Sequence, residues 1–354
     1  MSPEGPVLVV GAGLLGTSIG LALRRADVDV AFRDLKRKNV QIASGLGAAN
    51  LDADGIDPAL VVVAVPPDHL AEVVVEWLAG SSAVVTDVGS VKSAPLRAVR
   101  EAQPHEVHRY VGGHPMAGSE RSGPLAASAA LFDGRPWAVT PHDLSDPAAV
   151  DAVTALARAC GATPVTFGPD EHDRAVARTS HLPHLLAALV AGRLTDAPRE
   201  HLALSGQGVR DVTRIAAGDP GLWQQIVTAN SDALGALLQD VRADVDRLLA
   251  ALDGGDRAAL GAVLERGVAG TAVIPGKHGG PTKTESSLFV AVPDHPGELA
   301  RLFADAGEIG VNIEDIRIDH DPGREYGLVE LSVAADSVDH LLVSLGDRGW
   351  TAHK

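Results

Sequence analysis

Largely apolar runs occur along the first half of the chain, separated by stretches whose apolar residues recur every three to four positions. The runs cover residues 7–10, 28–32, 60–65, 83–88, 137–141 and 163–167. Such a run, ending at Gly, Pro or a charged residue, is typical of a strand buried on both faces of a parallel sheet. The intervening periodicity is that of helices packed on the sheet, including one over 148–159. The pattern therefore predicts an α/β domain over residues 1–168.

The pattern changes to a helical period after Gly168, and the next strand-like run begins only at residue 287. We expect an all-helical domain over 169–274, with long helices over 222–252 and 256–268 that are rich in Ala and Leu. Helices of this kind commonly pair between subunits, because their apolar faces exceed what one subunit can cover. A homodimer is therefore expected, with polar residues of this domain facing a substrate.

The last part of the chain has a composition of its own. Residues 275–285 contain Pro, Gly, Lys and Thr, which predicts a linker. The predicted order over residues 286–354 is β-α-β-β-α, as in a small ferredoxin-like unit. This segment carries 5 Lys and Arg against 13 Asp and Glu, half of the net charge of −16, which indicates a separate unit.

Composition and charge exclude several classes of protein. Cys160 is the single cysteine, so the chain forms no internal disulfide and a reducing, cytoplasmic location is expected. No apolar run approaches the length of about 20 residues that a membrane span needs. The net charge of −16 argues against binding to nucleic acid or to anionic membranes.

A glycine motif follows the first predicted strand directly. Gly11, Gly13 and Gly16 have the G-x-G-x-x-G spacing, and Leu14 and Leu15 open the next helix. The first glycine allows a tight turn, the second lets a pyrophosphate approach the backbone, and the third permits close packing of helix on strand. The helix N-terminus stabilises the phosphate charge. The motif makes the α/β domain a Rossmann-type dinucleotide-binding domain, with these five residues at the cofactor.

Asp34 ends the second predicted strand, 23 positions after Gly11. An acidic residue here usually binds the ribose hydroxyls of adenosine, which favours NAD. The basic residues Arg33, Lys36 and Arg37 could hold a 2′-phosphate instead, so NADP stays an alternative. A third interpretation is that Asp34 only caps a turn or helix.

The residues that follow the third and fourth predicted strands are further candidates for contacts with the cofactor. Val65 and Pro66 follow the third strand, and Gly89 and Ser90 follow the fourth. Ligands of doubly wound sheets bind beyond the carboxyl ends of the strands, so these residues are expected beside the cofactor. Ser90 could also cap the helix that begins near Ser93.

Residues 112–123 contain four glycines around His114 and are expected to form a loop after a strand at 110–111. Pro115 biases His114 towards an extended conformation. A histidine held in this way near Glu120 has the character of a positioned proton acceptor, although a glycine-rich loop with a surface histidine is the alternative.

The helical domain supplies further polar candidates. His181 and His184 lie on one helix face, as residues that line a site or as hydrogen-bonded core residues. A metal site with His172 is not expected, since no Cys and no third ligand at fixed spacing accompany them. Arg214, held by Asp211, is a candidate for binding a carboxylate, although the two could form a surface ion pair. Trp223 adds an aromatic wall to these candidates.

Residues 1 to about 274 resemble prephenate/arogenate dehydrogenases, which make the precursor of tyrosine. The resemblance rests on five separated motifs: Gly11 to Gly16, Asp87-Val88-Gly89-Ser90-Val91-Lys92, Gly112 to Gly123, Ser180-His181-Leu182-Pro183-His184, and Asp211-Val212-Thr213-Arg214-Ile215 followed by Trp223. The tail, with Val292-Pro293-Asp294-His295-Pro296-Gly297-Glu298-Leu299 and Val311-Asn312-Ile313, resembles an ACT domain, a module that usually pairs and binds an amino acid.

The resemblance implies roles for these residues. His114 matches the catalytic histidine that takes the proton of the ring hydroxyl, and Ser90 matches a serine that orients this hydroxyl and the nicotinamide. Arg214 matches the arginine that binds a substrate carboxylate. The residues that match the lining or gate of the pocket are Glu120, His181, His184 and Trp223. The residues that match the amino acid site of an ACT domain are Asp294, His295, Pro296, Gly297, Asn312 and Ile313.

The implied activity is oxidative decarboxylation of prephenate to 4-hydroxyphenylpyruvate with NAD, or with NADP, under feedback from an aromatic amino acid such as tyrosine. Arogenate, which carries an amino group where prephenate has a keto group, is the alternative substrate. Two other interpretations share the domain plan: a 3-hydroxy-acid or imine reductase, and a ligand-sensing regulator without turnover. The reductases normally rely on a catalytic lysine or another polar set and lack a segment like that around His114.

Overall fold

The computed structural model describes residues 5–117, 122–274, 285–319 and 326–354. The chain divides into two compact units, Met1–Arg257 and Ala258–Lys354. Within the described residues, no helix combines the length and the apolar character that crossing a membrane requires.

The first unit begins as the sequence predicts, with strands and helices in alternation. Its strands are β1 (Val7–Val10), β2 (Val30–Arg33), β3 (Leu60–Val63), β4 (Val84–Asp87), β5 (Gly112–Pro115), β6 (Pro136–Thr140) and β7 (Thr163–Thr166). The helices among them are α1 (Leu14–Arg25), α2 (Arg37–Gly45), α3 (Pro67–Gly80), α4 (Ser93–Ala102) and α5 (Pro147–Ala159).

Four of these strands form a parallel sheet in the order β2-β1-β3-β4. Val7 to Val10 of β1 pair with Val30 to Arg33 on one side and with Leu60 to Val63 on the other. The strand residues are buried on both faces, and one face packs on Ile19 and Leu23 of α1. This confirms the Rossmann-type architecture, because apolar runs without alternation specify a sheet covered on both sides.

A second sheet, β5-β6-β7, continues from the edge of the first one. Tyr110 bridges Val85 of β4 in parallel, and the chain then enters β5, which pairs antiparallel with β6. His114 therefore lies within a strand, opposite Ala138, and the expected loop after a strand is wrong at this point. A Cβ on Gly113 would lie 2.7 Å from the carbonyl oxygen of Asp87, so the glycine permits close approach between strands.

The rest of the first unit is helical, as predicted after residue 168. The helices are α6 (Pro169–Val176), α7 (Leu182–Gly192), α8 (Arg199–Leu202), α9 (Gln207–Arg214), α10 (Pro220–Ala229) and α11 (Ser231–Asp253). A π-helical turn, Ala177–His181, joins α6 to α7. The helix expected over 222–252 is divided at Asn230, whose buried side chain is bonded to other elements.

The second unit contains most of α12 (Arg257–Ala272) and a four-stranded antiparallel sheet with two helices. Its other elements are β8 (Glu285–Pro293), α13 (Glu298–Ile309), β9 (Ile313–Asp319), β10 (Tyr326–Ala334), α14 (Val338–Asp347) and β11 (Thr351–His353). The strand order is β11-β8-β10-β9, which is that of a ferredoxin-like sheet. The order β-α-β-β-α is thus as predicted, and a short last strand, β11, is added to it.

We expect Gly11→Ala to destabilise the first unit. Gly11 has a φ of 107°, and a Cβ there would lie 2.3 Å from the carbonyl oxygen of Ala64. Backbone strain and the collision together should cost about 3 kcal/mol or more and lower the melting temperature by several degrees. Thermal unfolding followed by circular dichroism measures the effect.

Gly13→Ala is the matched control, since Gly13 has a φ of −83° and a Cβ there would have no neighbour within 4 Å. Its melting temperature should fall much less than that of Gly11→Ala, because alanine at this position meets no collision and is only a poorer N-cap than glycine. Equal melting temperatures for both variants would contradict the account of the turn.

Candidate active site

The glycine turn between β1 and α1 forms the first part of the site. A Cβ on Gly16 would lie 1.9 Å from the carbonyl oxygen of Gly11, so α1 packs closely on the turn. Gly13, the N-cap of α1, has open space above it and no side chain caps the helix. The N–H groups of Leu14 and Leu15 at the start of α1 have no partner within the helix, so this end can hold an anion.

Asp34 lies next to this turn. Its Oδ2 accepts a hydrogen bond from the backbone N–H of Ala12 at 2.8 Å, and its Oδ1 accepts one from Lys36 N–H at 2.7 Å. The carboxylate is thus fixed beside the glycine turn and has lone pairs left for hydroxyl groups. The guanidinium of Arg33 lies 5.2 Å from the centre of the Trp77 ring, in a cation–π contact.

A polar cluster is buried where β4 ends. The Asp87 carboxylate accepts hydrogen bonds from the Lys92 ammonium, from the Tyr110 hydroxyl at 2.8 Å and from the Gly89 N–H at 2.7 Å. Lys92 also donates to the Gly113 carbonyl oxygen at 2.7 Å, and its side chain is 1% exposed. Lys92 therefore joins the turn that carries Ser90 to the residue that precedes His114.

A cavity of about 180 Å³ opens beside this turn. It is lined by Pro67, Leu70, Ala71, Gly89, Ser90, Val91, Ala94, Pro95, Ile226 and Ala229. The lining combines helix α3, the turn after β4 and the start of α4 with helix α10 of the helical part. Val65 is half-buried and Pro66 exposed, directly before α3 begins at Pro67. Ser90 and Gly89 thus lie at the junction between the two parts of the first unit.

His114 is buried and bonded to a second histidine. Its Nδ1 lies 2.9 Å from Nε2 of His172, and Nδ1 of His172 lies 2.9 Å from Oδ1 of Asp173. The Asp173 carboxylate also accepts the backbone N–H groups of Lys92 and Ser93, each at 2.8 Å. These contacts connect strand β5 with helix α6 and with the N-terminus of α4.

Burial controls the charge of these histidines. Burial first, then His172, Lys92 and His181, hold the pKa of His114 well below its ordinary value of 6.5. Burial likewise lowers the pKa of His172, although the hydrogen bond to Asp173 acts in the opposite direction. Both imidazoles are therefore neutral at neutral pH, which is the state a proton acceptor requires.

The π-helical turn supplies His181 to the same region. In an unbroken α-helix, the side chains of residues nine positions apart point in directions about 180° apart. The wider π-helical turn reduces this angle between His172 and His181. His181 Nδ1 lies 3.2 Å from Nδ2 of Asn230, which also donates to the Asp173 carbonyl oxygen at 2.9 Å. Burial lowers the pKa of His181 to about 4, so this histidine is neutral as well.

His184 and Trp223 form an aromatic pair beside His181. Their ring centres are 3.5 Å apart and the planes differ by 9°, and His181 meets Trp223 edge-on at 6.1 Å. The structure therefore brings together three of the predicted residues. Burial lowers the pKa of His184.

Arg214 is exposed at the end of α9. Asp211 accepts a hydrogen bond from Gln207 at 2.9 Å, so the expected support of Arg214 by Asp211 is wrong in this structure. A salt bridge between them is absent among the described residues. Glu120 lies outside the described residues.

The residues predicted to bind an effector lie at two places in the second unit, and all of them are exposed except Ile313, which is half-buried. Asp294, His295 and Pro296 form the turn between β8 and α13, which ends at Gly297 with a φ of 97°. Asn312 donates to Glu314 at 2.9 Å, and Ile313 begins β9.

Sequence reasoning missed the roles of His172, Asp173 and Asn230. His172 was considered only as a metal ligand, and Asp173 was given no role in a site. The signal that could have found them is a His-Asp pair directly after the last strand of a dinucleotide sheet. Asn230 offered a weaker signal, as a polar residue interrupting a long Ala- and Leu-rich pattern.

Two solved structures share this fold. The prephenate dehydrogenase from A. aeolicus, in complex with hydroxyphenyl propionate and NAD+, aligns with a TM-score of 0.69 and 24% identity over 77% of this chain and 99% of that chain. The arogenate dehydrogenase from Synechocystis aligns with a TM-score of 0.65 and 25% identity over 75% of this chain and 98% of that chain.

Family models and a curated relative cover the chain. Residues 19–166 match the nucleotide-binding domain of prephenate dehydrogenase, and residues 168–266 match its dimerization domain. The probable prephenate dehydrogenase NovF from Streptomyces niveus is 37% identical over 98% of this chain and 99% of its own length. The chain that carries this buried histidine cluster and this glycine turn therefore belongs to the prephenate dehydrogenase family.

Proposed function

We propose that the protein catalyses the NAD+-dependent oxidative decarboxylation of prephenate to 4-hydroxyphenylpyruvate in the synthesis of tyrosine. The observation that carries the proposal is the buried His114, a neutral imidazole where the nucleotide-binding part meets the helical part. The likeness to NovF over nearly the whole chain supports the same substrate.

The residues around the glycine turn fit NAD+. The open space above Gly13 and the N–H groups at the start of α1 suit a pyrophosphate, and the Asp34 carboxylate suits ribose hydroxyls. A 2′-phosphate would meet this carboxylate, and repulsion between the like charges disfavours NADP+. When bound, NAD+ supplies an acceptor for the hydride that leaves the ring carbon of the substrate.

His114 is the proposed base of the reaction. It takes the proton of the ring hydroxyl as the ring carbon is oxidised. The ring carboxylate then departs as CO2, and the electrons of the broken bond make the ring aromatic and leave a phenolate oxygen. The proton on His114 returns to this oxygen, so the base is regenerated. Ser90 is proposed to orient the hydroxyl, because it lines the cavity beside the turn that Lys92 ties to Gly113.

The substrate's far end is proposed to lie against the helical part. The guanidinium of Arg214 can bind a carboxylate with two hydrogen bonds, and the exposure of this side chain leaves it able to bind an incoming anion. The stacked pair of His184 and Trp223, with His181 beside it, offers a wall for a ring. Glu120 is kept as a proposed contact on the grounds of the family motif alone.

Arogenate is the second candidate substrate. The Synechocystis arogenate dehydrogenase shares the fold and 25% of its sequence with this chain, which supports keeping the alternative. The amino group of arogenate is positively charged, whereas the keto group of prephenate is neutral. An acidic residue near the side chain of the substrate would therefore favour arogenate.

A homodimer and a regulatory tail complete the proposal. Exposed apolar residues on the helical part, among them Leu189, Leu204, Leu249 and Leu252, support pairing with a second copy. The proposed domains are a dinucleotide-binding domain over 1–168, a helical domain over 169–274 and an ACT domain over 286–354, with a linker over 275–285. Tyrosine is the proposed effector of the ACT domain. The ferredoxin-like strand order supports the ACT assignment. A cytoplasmic location is proposed from the single cysteine.

The first prediction of this proposed function is a substrate and cofactor preference. Among prephenate and arogenate, each with NAD+ or NADP+, the highest kcat/KM is expected for prephenate with NAD+. Repulsion at Asp34 should make NAD+ better than NADP+ by at least about 10-fold. Initial rates of reduced cofactor formation measure this. A higher kcat/KM for arogenate would make arogenate the substrate instead of prephenate. No turnover of prephenate or arogenate would contradict the proposed activity.

The second prediction concerns His114. His114→Asn should lower kcat by a factor of about 10² or more, because the base is removed, with NAD+ binding kept. In the wild type, kcat/KM should hold as the pH falls through 6.5 and decline only at lower pH, since the pKa of His114 lies below that value.

The matched control is His201→Asn, an exposed histidine on α8, which should keep full activity. Normal turnover by the His114 variant would remove this residue from the chemistry.

The third prediction concerns the tail. Tyrosine should inhibit the full-length protein and leave unaffected a version that ends at Ile274, because the proposed effector residues all lie beyond it. Rates of prephenate oxidation at increasing tyrosine measure the effect, with alanine as the control amino acid. Equal inhibition of both versions would place the effector at the catalytic site instead.

A further inference from the structure

We propose that His172 and Asp173 are positioning residues that fix the tautomer of His114, so that its Nε2 carries the free lone pair. The inference rests on the proposed role of His114 as the base and specifies which of its atoms receives the proton.

The tautomers of His172 and His114 follow from their hydrogen bonds, taken one after another starting from Asp173. An ionised carboxylate only accepts, so the contact of 2.9 Å between Asp173 Oδ1 and His172 Nδ1 places a proton on that nitrogen. A neutral imidazole carries one proton, which leaves His172 Nε2 as an acceptor. The contact of 2.9 Å with His114 Nδ1 then requires that His114 donates, and Nε2 of His114 is left without a proton.

The Asp173 carboxylate is held in its ionised state. Burial acts to raise its pKa, but the hydrogen bonds from His172 and from the backbone N–H groups of Ser93 and Lys92 outweigh burial, and the pKa lies below its ordinary value. Both N–H groups belong to the N-terminus of α4, where a negative charge is favoured. Asp173 is thus an acceptor at neutral pH, where His114 is neutral.

Other groups near the pair do not compete for this role. Lys92 faces the site from the start of α4, and its ammonium is bonded to Asp87 and to the Gly113 carbonyl oxygen. Tyr110 is bonded to Asp87. His181, from the π-helical turn, has Nδ1 beside Asn230. No carboxylate besides Asp173 contacts His172 among the described residues.

The arrangement also affects how strongly His114 holds a proton. Burial, His172, Lys92 and His181 all act against the charged form. When Nε2 accepts a proton, the Nδ1–H group becomes a stronger donor to His172, and the Asp173 carboxylate attracts the new charge. The Asp173 carboxylate therefore offsets part of the opposition to the protonated base.

Two substitutions at His172 separate positioning from packing. His172→Gln keeps an acceptor for the Nδ1–H group of His114, and His172→Phe keeps a ring of similar size but has no acceptor. We expect kcat to fall by about 10² or more in His172→Phe and by less than about 10-fold in His172→Gln. The KM for prephenate should change little in both variants, since neither removes a contact to the substrate.

The pH profile distinguishes these effects further. His172 itself acts against the charged form of His114, and Asp173 stays in place when His172 is replaced, so the acidic decline of kcat/KM should move to higher pH in His172→Phe. A role in packing alone would lower activity without this displacement. Asp170→Asn is the matched control, because this exposed carboxylate lies on the same helix and, among the described residues, accepts a hydrogen bond only from the Ser93 hydroxyl. It should keep both kcat and the pH profile.

A measurement independent of turnover is ¹⁵N NMR of the protein labelled at histidine, with the His114 signals assigned by His114→Asn. The wild type and His172→Gln should carry the His114 proton on Nδ1, and His172→Phe should lose this preference. A proton on Nε2 of His114 in the wild type would overturn the inference, even if His172→Phe failed to fold. If the wild type does not oxidise prephenate but His114 is protonated on Nδ1, the proposed function fails and the tautomer assignment stands.

Discussion

The buried ion pair of Asp87 and Lys92 is the interaction on which the geometry of the site depends. It lies at the edge where the parallel sheet ends and the second sheet begins. Asp87 fixes the turn that carries Ser90, and Lys92 reaches across to the strand that carries His114. Breaking such a pair by removing one partner typically costs about 3–5 kcal/mol, because the other charge remains buried. Two charges without contact to solvent thus set the spacing between two residues of the proposed chemistry.

Burial also determines the charge of the site, which is polar but contains little free charge. His114, His172 and His181 are neutral because burial disfavours their charged forms, and Asp173 is neutralised in part by the N-terminus of α4. A dianionic substrate with a departing carboxylate suits such surroundings. In the proposed reaction the carboxylate leaves without a strong cation to hold it, and the exposed Arg214 is the residue proposed to bind the side-chain carboxylate.

The sequence predicted those features that local patterns determine. Apolar runs identified the parallel strands, and the spacing of Gly11, Gly13 and Gly16 identified the turn between β1 and α1. The stacking of His184 on Trp223 joins residues 39 positions apart, and the pairing of His114 with His172 joins residues 58 positions apart. Periodicity carries no information on such contacts. The glycines before His114 were expected to form part of a loop, whereas they permit close approach between strands. A loop and a close approach between strands both require glycines, so composition does not distinguish them.

The π-helical turn Ala177–His181 makes the number of residues in this segment a determinant of the site. A regular helix advances by about 100° per residue, so removing one residue from the turn would rotate all that follows by that angle. His181 and His184 would turn away from the site together, although neither had been replaced. The chain length between Asp173 and His184 is therefore as strictly constrained as the identity of the two histidines, and homologous sequences that align here should lack insertions and deletions.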